Sequence, residues 1–145
     1  MKKQFRLVMI MMIATAVLIA CAGSAATTEP APQLDRPTPP PQYQDLNNPS
    51  ADDTGAAAQG EDVFAANCAS CHGENAQGEG PAAAALDPQP ANLAENQTAL
   101  SDGYLFWRIA EGGAMDPFTS QMPAWQGTLS EDQIWQVIAY LRTLD

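Results

Sequence analysis

The five residues Cys68-Ala69-Ser70-Cys71-His72 constrain the fold of this chain more than any other feature of its sequence. Two cysteines separated by two residues and followed directly by a histidine form the pattern to which c-type haem is attached. Both thiols can add across vinyl groups at one edge of the macrocycle, and the adjacent histidine can bind the iron as its proximal ligand. The motif therefore predicts one covalent haem, held by Cys68, Cys71 and His72, as the centre of a small core.

Two other uses of paired cysteines fit the sequence less well. A structural zinc site takes four Cys or His ligands, and His72 is the only histidine in the chain. A thioredoxin-like redox motif would follow a strand in a βαβ unit, whereas this motif ends a helix-like stretch. Covalent haem attachment is the interpretation that the motif favours.

Few side chains in this sequence could serve as the second axial ligand of the iron. No second histidine exists, and the lysines are confined to Lys2 and Lys3. Beyond the N-terminal segment the methionines are Met115 and Met122, and Met122 precedes Pro123, which favours an extended backbone. We expect Met122 to bind the iron, and Met115, in a glycine-bearing loop, to cover an edge of the haem.

The remaining sequence predicts an all-α domain of three to four helices, because no segment alternates as a strand would. A first helix is expected over about 57–69 and a second over 102–111, ended by Gly112. The last helix should begin at Ser130, which forms a capping box with Gln133. Its buried face is marked by Ile134, Val137, Ile138 and Leu141.

The N-terminus has the layout of an export signal. A basic start is followed by an apolar run from Leu7 to Ala20, as in secretory signals. The sequence Leu18-Ile19-Ala20-Cys21 resembles a lipobox, which would make Cys21 a lipid anchor. The alternative is an uncleaved transmembrane helix, since the apolar stretch extends to Ala26. Either interpretation predicts an exported domain, anchored on the periplasmic or extracytoplasmic face of a membrane.

Prolines recur between this segment and the haem motif, without helical or strand periodicity. Such chains favour extended polyproline II, so we predict a flexible, disordered linker over 22–55, or a segment that drapes over a partner subunit. The expected organisation is a signal with lipobox over 1–21, the linker, and a haem domain over 56–145.

The chain is strongly acidic, with a net charge of −11. Binding to phosphate backbones needs clustered Lys and Arg, so a nucleic-acid partner is excluded. The acidity favours basic protein partners, or serves only to keep an exported protein soluble.

Over roughly Gly60 to Leu144 the sequence resembles the class I cytochrome c family. Gly60 and Phe64 with the Cys-Ala-Ser-Cys-His motif fit the N-terminal helix of that family, Met122-Pro123 fits its methionine loop, and residues 138–142 fit its C-terminal helix.

The resemblance implies a low-spin iron held by His72 and Met122, and a helix crossing of Gly60 and Phe64 near Tyr140. It also implies that Pro81 supplies a backbone carbonyl to the His72 ring. Phe64 and Trp125 are further residues that we expect to contact the haem.

These features predict a one-electron carrier between membrane-bound redox complexes of a respiratory or photosynthetic chain, with no catalytic residue. The alternative is a fixed subunit of a larger quinol-oxidising complex, such as alternative complex III. An open sixth site for peroxidase or gas chemistry is less favoured, because such sites usually need a distal histidine. Well-known family members dock on their partners through a ring of lysines, which this domain lacks. The partners of those proteins therefore cannot be assigned to this chain.

Overall fold

The computed structural model describes residues 36–144, and within this range all regular structure is helical. The predicted signal and Cys21 lie outside the described residues, as does the first part of the predicted linker. The α-helices are α1 (Pro41–Gln44), α2 (Thr54–Asn67), α3 (Ala69–His72), α4 (Leu93–Asn96), α5 (Asp102–Glu111) and α6 (Glu131–Leu141), with 3₁₀ turns at Ala83–Ala85 and Gln97–Ala99. The all-α class is confirmed: α2, α5 and α6 are the long helices, and the others are single turns.

Helices α2 and α6 cross in close contact. A Cβ atom on Gly60 would overlap the backbone carbonyl of Gln136, so only glycine allows this approach. One turn later, Phe64 is 2% exposed, and its ring centroid lies 5.3 Å from that of Tyr140. The crossing implied by the family resemblance is therefore present.

The helix ends follow their capping residues. The Ser101 hydroxyl accepts from the Tyr104 N–H at the start of α5, and Gly112 ends that helix with a φ of 73°. Ser130 and Gln133 form the predicted capping box at α6. Helix α2 begins at Thr54, before the predicted start, because the Asp53 side chain accepts from the Gly55 N–H and caps it.

Residues 36–53, which we call the strap, pack against the haem domain. The Tyr43 hydroxyl donates to Glu111 Oε1 at 2.8 Å, and the buried Asn48 side chain donates to the Trp135 carbonyl at 2.9 Å. The backbone carbonyl of Tyr43 lies so close to Gly103 that a Cβ atom there would overlap it. The predicted flexible linker extended to residue 55, whereas its described part is held by contacts with α5 and α6.

Between residues 36 and 144, none of the helices combines the length and the apolar character that a membrane span needs.

Candidate haem-binding site

The residues predicted to bind haem lie around one cleft of about 570 Å³. Its lining is mostly apolar and comes from the strap, from helices α2 to α6, and from the loops around residues 86–91 and 117–123. The predicted site residues that line it are Phe64, Cys68, Cys71, His72, Met122 and Trp125. A mostly apolar cleft with a few converging polar donors is typical of cofactor sites.

The local fold of the motif places both cysteines on the cleft. The N–H groups of Cys71 and His72 both donate to the Cys68 carbonyl, at 3.1 and 2.9 Å, which closes a tight helical turn. Residues three apart in such a turn lie on the same side, so both sulfurs line the cleft as free thiols.

The imidazole of His72 is held in one orientation by a backbone carbonyl. Its Nδ1 lies 3.3 Å from the Ala91 carbonyl oxygen, which can only accept a hydrogen bond, so Nδ1 carries the proton. Burial lowers the pKa of His72, and the bond to Ala91 opposes this only in part. The ring is therefore neutral at physiological pH, and Nε2 keeps the lone pair that a metal ion needs.

The prediction that Pro81 supplies this carbonyl is wrong, because the carbonyl oxygen beside His72 Nδ1 belongs to Ala91. The chain beside Pro81 bonds back onto the motif itself, because Gly80 N–H donates to the Cys71 carbonyl and Ala82 N–H donates to the Ser70 carbonyl. Pro81 is exposed and does not line the cleft.

The electrostatics of the thiols differ from those of a redox-active pair. Burial, followed by the neighbouring Cys71, raises the pKa of Cys68 to about 11. A thioredoxin-like motif needs a lowered pKa and a thiolate at neutral pH. The site therefore disfavours that alternative on physical grounds.

The loop that carries Met122 is fastened to the end of α5. Gly113 N–H donates to the Met122 carbonyl at 2.9 Å, and Trp125 N–H donates to the Ile109 carbonyl at 3.1 Å. These bonds hold the Met122 and Trp125 side chains at the cleft.

Met115 lies beside the cleft. Its sulfur accepts from Arg108 Nη1 at 3.7 Å, and it is not among the residues that line the cleft. Met115 therefore contacts a residue of the cleft without lining it, and its role as a cover for a haem edge stays a prediction.

Sequence reasoning missed three residues of the site: Ala91, Arg36 and Arg108. A backbone carbonyl has no sequence signature, and Arg36 lies in the segment predicted to be a linker. Arg108 could have been found, because it follows Leu105 by three positions on the apolar face of α5.

The cleft fits a covalent haem and not a bare metal ion. It brings together two thiols, a neutral imidazole and a thioether, which is the donor set of a c-type haem. Among residues 36–144 no group of three or more His, Cys, Asp or Glu side chains could hold a metal ion on its own.

Comparison with solved structures supports the same fold. The chain is similar to cytochrome cL from the marine methylotrophic bacterium Methylophaga aminisulfidivorans, with a TM-score of 0.50, 26% identity and coverage of 67% of this chain and 58% of that chain. It also shares a fold with a chain of the reducing HAO-like protein complex of Kuenenia stuttgartiensis, with a TM-score of 0.50, 21% identity and coverage of 63% and 44%.

Two curated relatives match about two thirds of the chain. The cbb3-type cytochrome c oxidase subunit FixP of Azorhizobium caulinodans is 32% identical over 103 residues, which are 68% of this chain and 31% of the relative. The corresponding subunit CcoP of Azospirillum brasilense is 31% identical over 97 residues, 67% of this chain and 31% of the relative. The matched part is thus about a third of the length of these relatives.

Residues 55–141 match the family described as cytochrome c oxidase, cbb3-type, subunit III, and this range includes the Cys-Ala-Ser-Cys-His motif, Met122 and the crossing of α2 with α6. The chain therefore belongs to this family, and it is a class I c-type cytochrome that binds covalently attached haem c.

Proposed function

We propose that this protein is a one-electron carrier between membrane-bound redox complexes of a respiratory or photosynthetic chain. In this proposal Cys68 and Cys71 would attach the haem, and His72 and Met122 would bind its iron. The observation that carries it is the convergence of a neutral imidazole and a thioether on one mostly apolar cleft. The haem supplies an iron that changes between the ferric and ferrous states.

The side chains around the cleft tune this chemistry. The Ala91 carbonyl fixes the tautomer of His72, so that Nε2 is the donor atom. Methionine is a poor donor to ferric iron, so Met122 favours a higher reduction potential than a second histidine would give. Phe64 and Trp125 exclude water from the cleft, which acts in the same direction.

With His72 and Met122 both bound to the iron, no open position would remain for a substrate, so the proposed role is electron transfer and not catalysis. Peroxidase or gas-reducing chemistry needs an acid–base group near the open site, and within the described cleft His72 is the only histidine. No catalytic residue is proposed.

The relatives favour a second form of the same function, in which the protein is a fixed subunit of a larger membrane complex. Both curated relatives are named as subunits of a cbb3-type oxidase. A quinol-oxidising assembly such as alternative complex III would use the same chemistry.

We further propose export and membrane anchoring, by lipidation of Cys21 or by an uncleaved N-terminal helix.

Carbon monoxide binding tests the closed coordination. The reduced, haem-loaded protein should bind carbon monoxide slowly or not at all, because a stable methionine–iron bond resists displacement, and its midpoint potential should be positive. Rapid binding together with a strongly negative potential would refute the electron-carrier proposal in favour of an open site.

Gentle detergent extraction separates the two forms of the proposal. A fixed subunit should co-purify with large membrane subunits in constant proportion, whereas a shuttle should be recovered alone. A Cys21→Ala variant is the matched control for the anchor: release into the soluble fraction is expected if the lipid holds the domain, and retention would indicate an uncleaved helix.

A further inference from the structure

Two arginines line the haem cleft without a carboxylate partner in the described part of the chain. Arg36 comes from the strap and Arg108 from α5. The third described arginine, Arg142, forms a 2.6 Å ion pair with Asp102, the single ion pair found among residues 36–144. The chain has a net charge of −11, so a cleft lined by two cations differs in charge from the protein as a whole.

The partners of Arg108 are neutral. Its guanidinium lies 3.4 Å from the ring centroid of Phe118 and donates to the Gly112 carbonyl at 2.5 Å. Burial lowers the pKa of Arg108, Tyr104 opposes this, and the positive charge of Arg36 acts in the same direction as burial. Two neighbouring positive charges on a partly desolvated surface are costly unless an anion faces them.

The strap holds Arg36 at this place. Its guanidinium lies 5.9 Å from the ring centroid of Tyr104, a buried residue of α5 that also lines the cleft. Farther along the strap, Tyr43 bonds to Glu111, and Asn48 bonds to the Trp135 carbonyl and, through its N–H, to Asp102. The strap is therefore fixed on the domain at points that do not involve the haem.

We propose that Arg36 binds a carboxylate of the haem, so that the cofactor and the strap hold each other in place. The inference rests on the proposed function, because it needs the haem to occupy this cleft. The propionate side chains of haem supply the anionic chemistry that the two guanidinium groups lack, and charged hydrogen bonds of this kind are among the stronger ones in proteins. Apart from the two guanidinium groups the cleft has no cationic side chain, since its remaining titratable groups are Cys68, Cys71, His72 and Tyr104.

Two measurable consequences follow from this contact. Docking of the strap should depend on Arg36, because one charged hydrogen bond changes an opening equilibrium by about ten-fold or more. The reduction potential should depend on it too, because a cation beside the haem stabilises the reduced, less positive iron.

The test uses the haem-loaded full chain in three variants: Arg36→Gln, Arg36→Lys and Tyr43→Phe. Hydrogen exchange of the strap amides, such as the Asn48 N–H bonded to Asp102, reports strap opening, and the midpoint potential reports charge at the haem. For Arg36→Gln we expect strap exchange about ten-fold faster and a lower potential. Arg36→Lys, which keeps the charge, should restore the potential and most of the protection. Tyr43→Phe should speed exchange and leave the potential unchanged.

Two results would overturn the inference. If Arg36→Gln leaves both measurements at wild-type values, Arg36 is a surface cation only. If it speeds strap exchange without changing the potential, Tyr104 alone holds Arg36 and the haem does not. The methionine absorption band of the wild type separates this outcome from a failure of the proposed function, because its absence would count against Met122 whatever Arg36 does.

Discussion

At the scale of single residues, the cleft is lined by donor side chains of types that are rare in this chain. His72 is the only histidine, and Met122 is the methionine that precedes a proline. Both were therefore predicted to bind the iron, and both line the cleft. The hydrogen-bond partner of His72 could not be found in this way. Every residue has a backbone carbonyl, and only the path of the chain brings that of Ala91, and not of Pro81, to the ring.

Asn48 provides a residue-scale prediction. It is 7% exposed, its side chain donates to the Trp135 carbonyl at 2.9 Å, and its Oδ1 accepts from the Ser50 N–H. Replacing it by alanine removes both side-chain hydrogen bonds at a buried position, so Asn48→Ala should lower the free energy of unfolding by about 1–3 kcal/mol. Chemical denaturation of the haem-loaded protein measures this.

The neighbouring Asn47 is the matched control for that change. It is exposed, and its side chain bonds only to the Asp45 carbonyl, at 3.1 Å. Asn47→Ala should change the free energy of unfolding by less than about 0.5 kcal/mol. Equal effects of the two substitutions would contradict the packed strap.

At the scale of helices, capping residues and apolar spacing predicted α5 and α6 well, because a side-chain cap is a local signal. Gly112 ends α5 as predicted, and Ser130 and Gln133 form the expected capping box at the start of α6. The strap was missed for the opposite reason. Its prolines indicate extended chain, while its anchors Tyr43 and Asn48 bond to residues far away in sequence, which no local pattern reveals.

The crossing of α2 with α6 gives a prediction at this scale. Because a Cβ atom on Gly60 would overlap the Gln136 carbonyl, the two helices must separate to accept alanine. Gly60→Ala should lower the free energy of unfolding by about 1–3 kcal/mol, as overpacking does elsewhere. Thermal and chemical unfolding of the haem-loaded protein would measure the loss.

Gly127 offers the control for this substitution, because a Cβ atom there meets no atom within 4 Å. Gly127→Ala should leave the free energy of unfolding within about 0.5 kcal/mol of the wild-type value. A Gly60→Ala protein as stable as the Gly127→Ala protein would show that the helices do not cross this closely.

At the scale of the whole molecule, the haem is part of the core and not an addition to it. The cleft of about 570 Å³ lies beside the buried side chains of α2, α5 and α6, with Phe64 and Leu105 shared between core and cleft. A small domain buries little apolar surface for its size, so the contribution of the cofactor is large. The sequence predicted this central role from the motif, but not the closure of the domain by the strap.

Removing the haem should therefore loosen the fold. A Cys68→Ala/Cys71→Ala double variant, which cannot attach the haem, is expected to keep part of its helical circular dichroism and to unfold over a broad temperature range. It should also bind a hydrophobic dye through the exposed cleft. A haem-free protein that unfolds as sharply as the haem-loaded one would contradict this view of the core.

The most direct test of iron coordination by His72 and Met122 is the absorption spectrum of the oxidised, haem-loaded protein in two variants, Met122→Ala and Met115→Ala. Met122 lines the cleft, whereas Met115 does not line it and bonds through its sulfur to Arg108. We predict that Met122→Ala loses the weak long-wavelength band of methionine-ligated ferric haem and that Met115→Ala retains it. Retention of the band in Met122→Ala, or its loss in Met115→Ala, would contradict the proposed His72 and Met122 coordination.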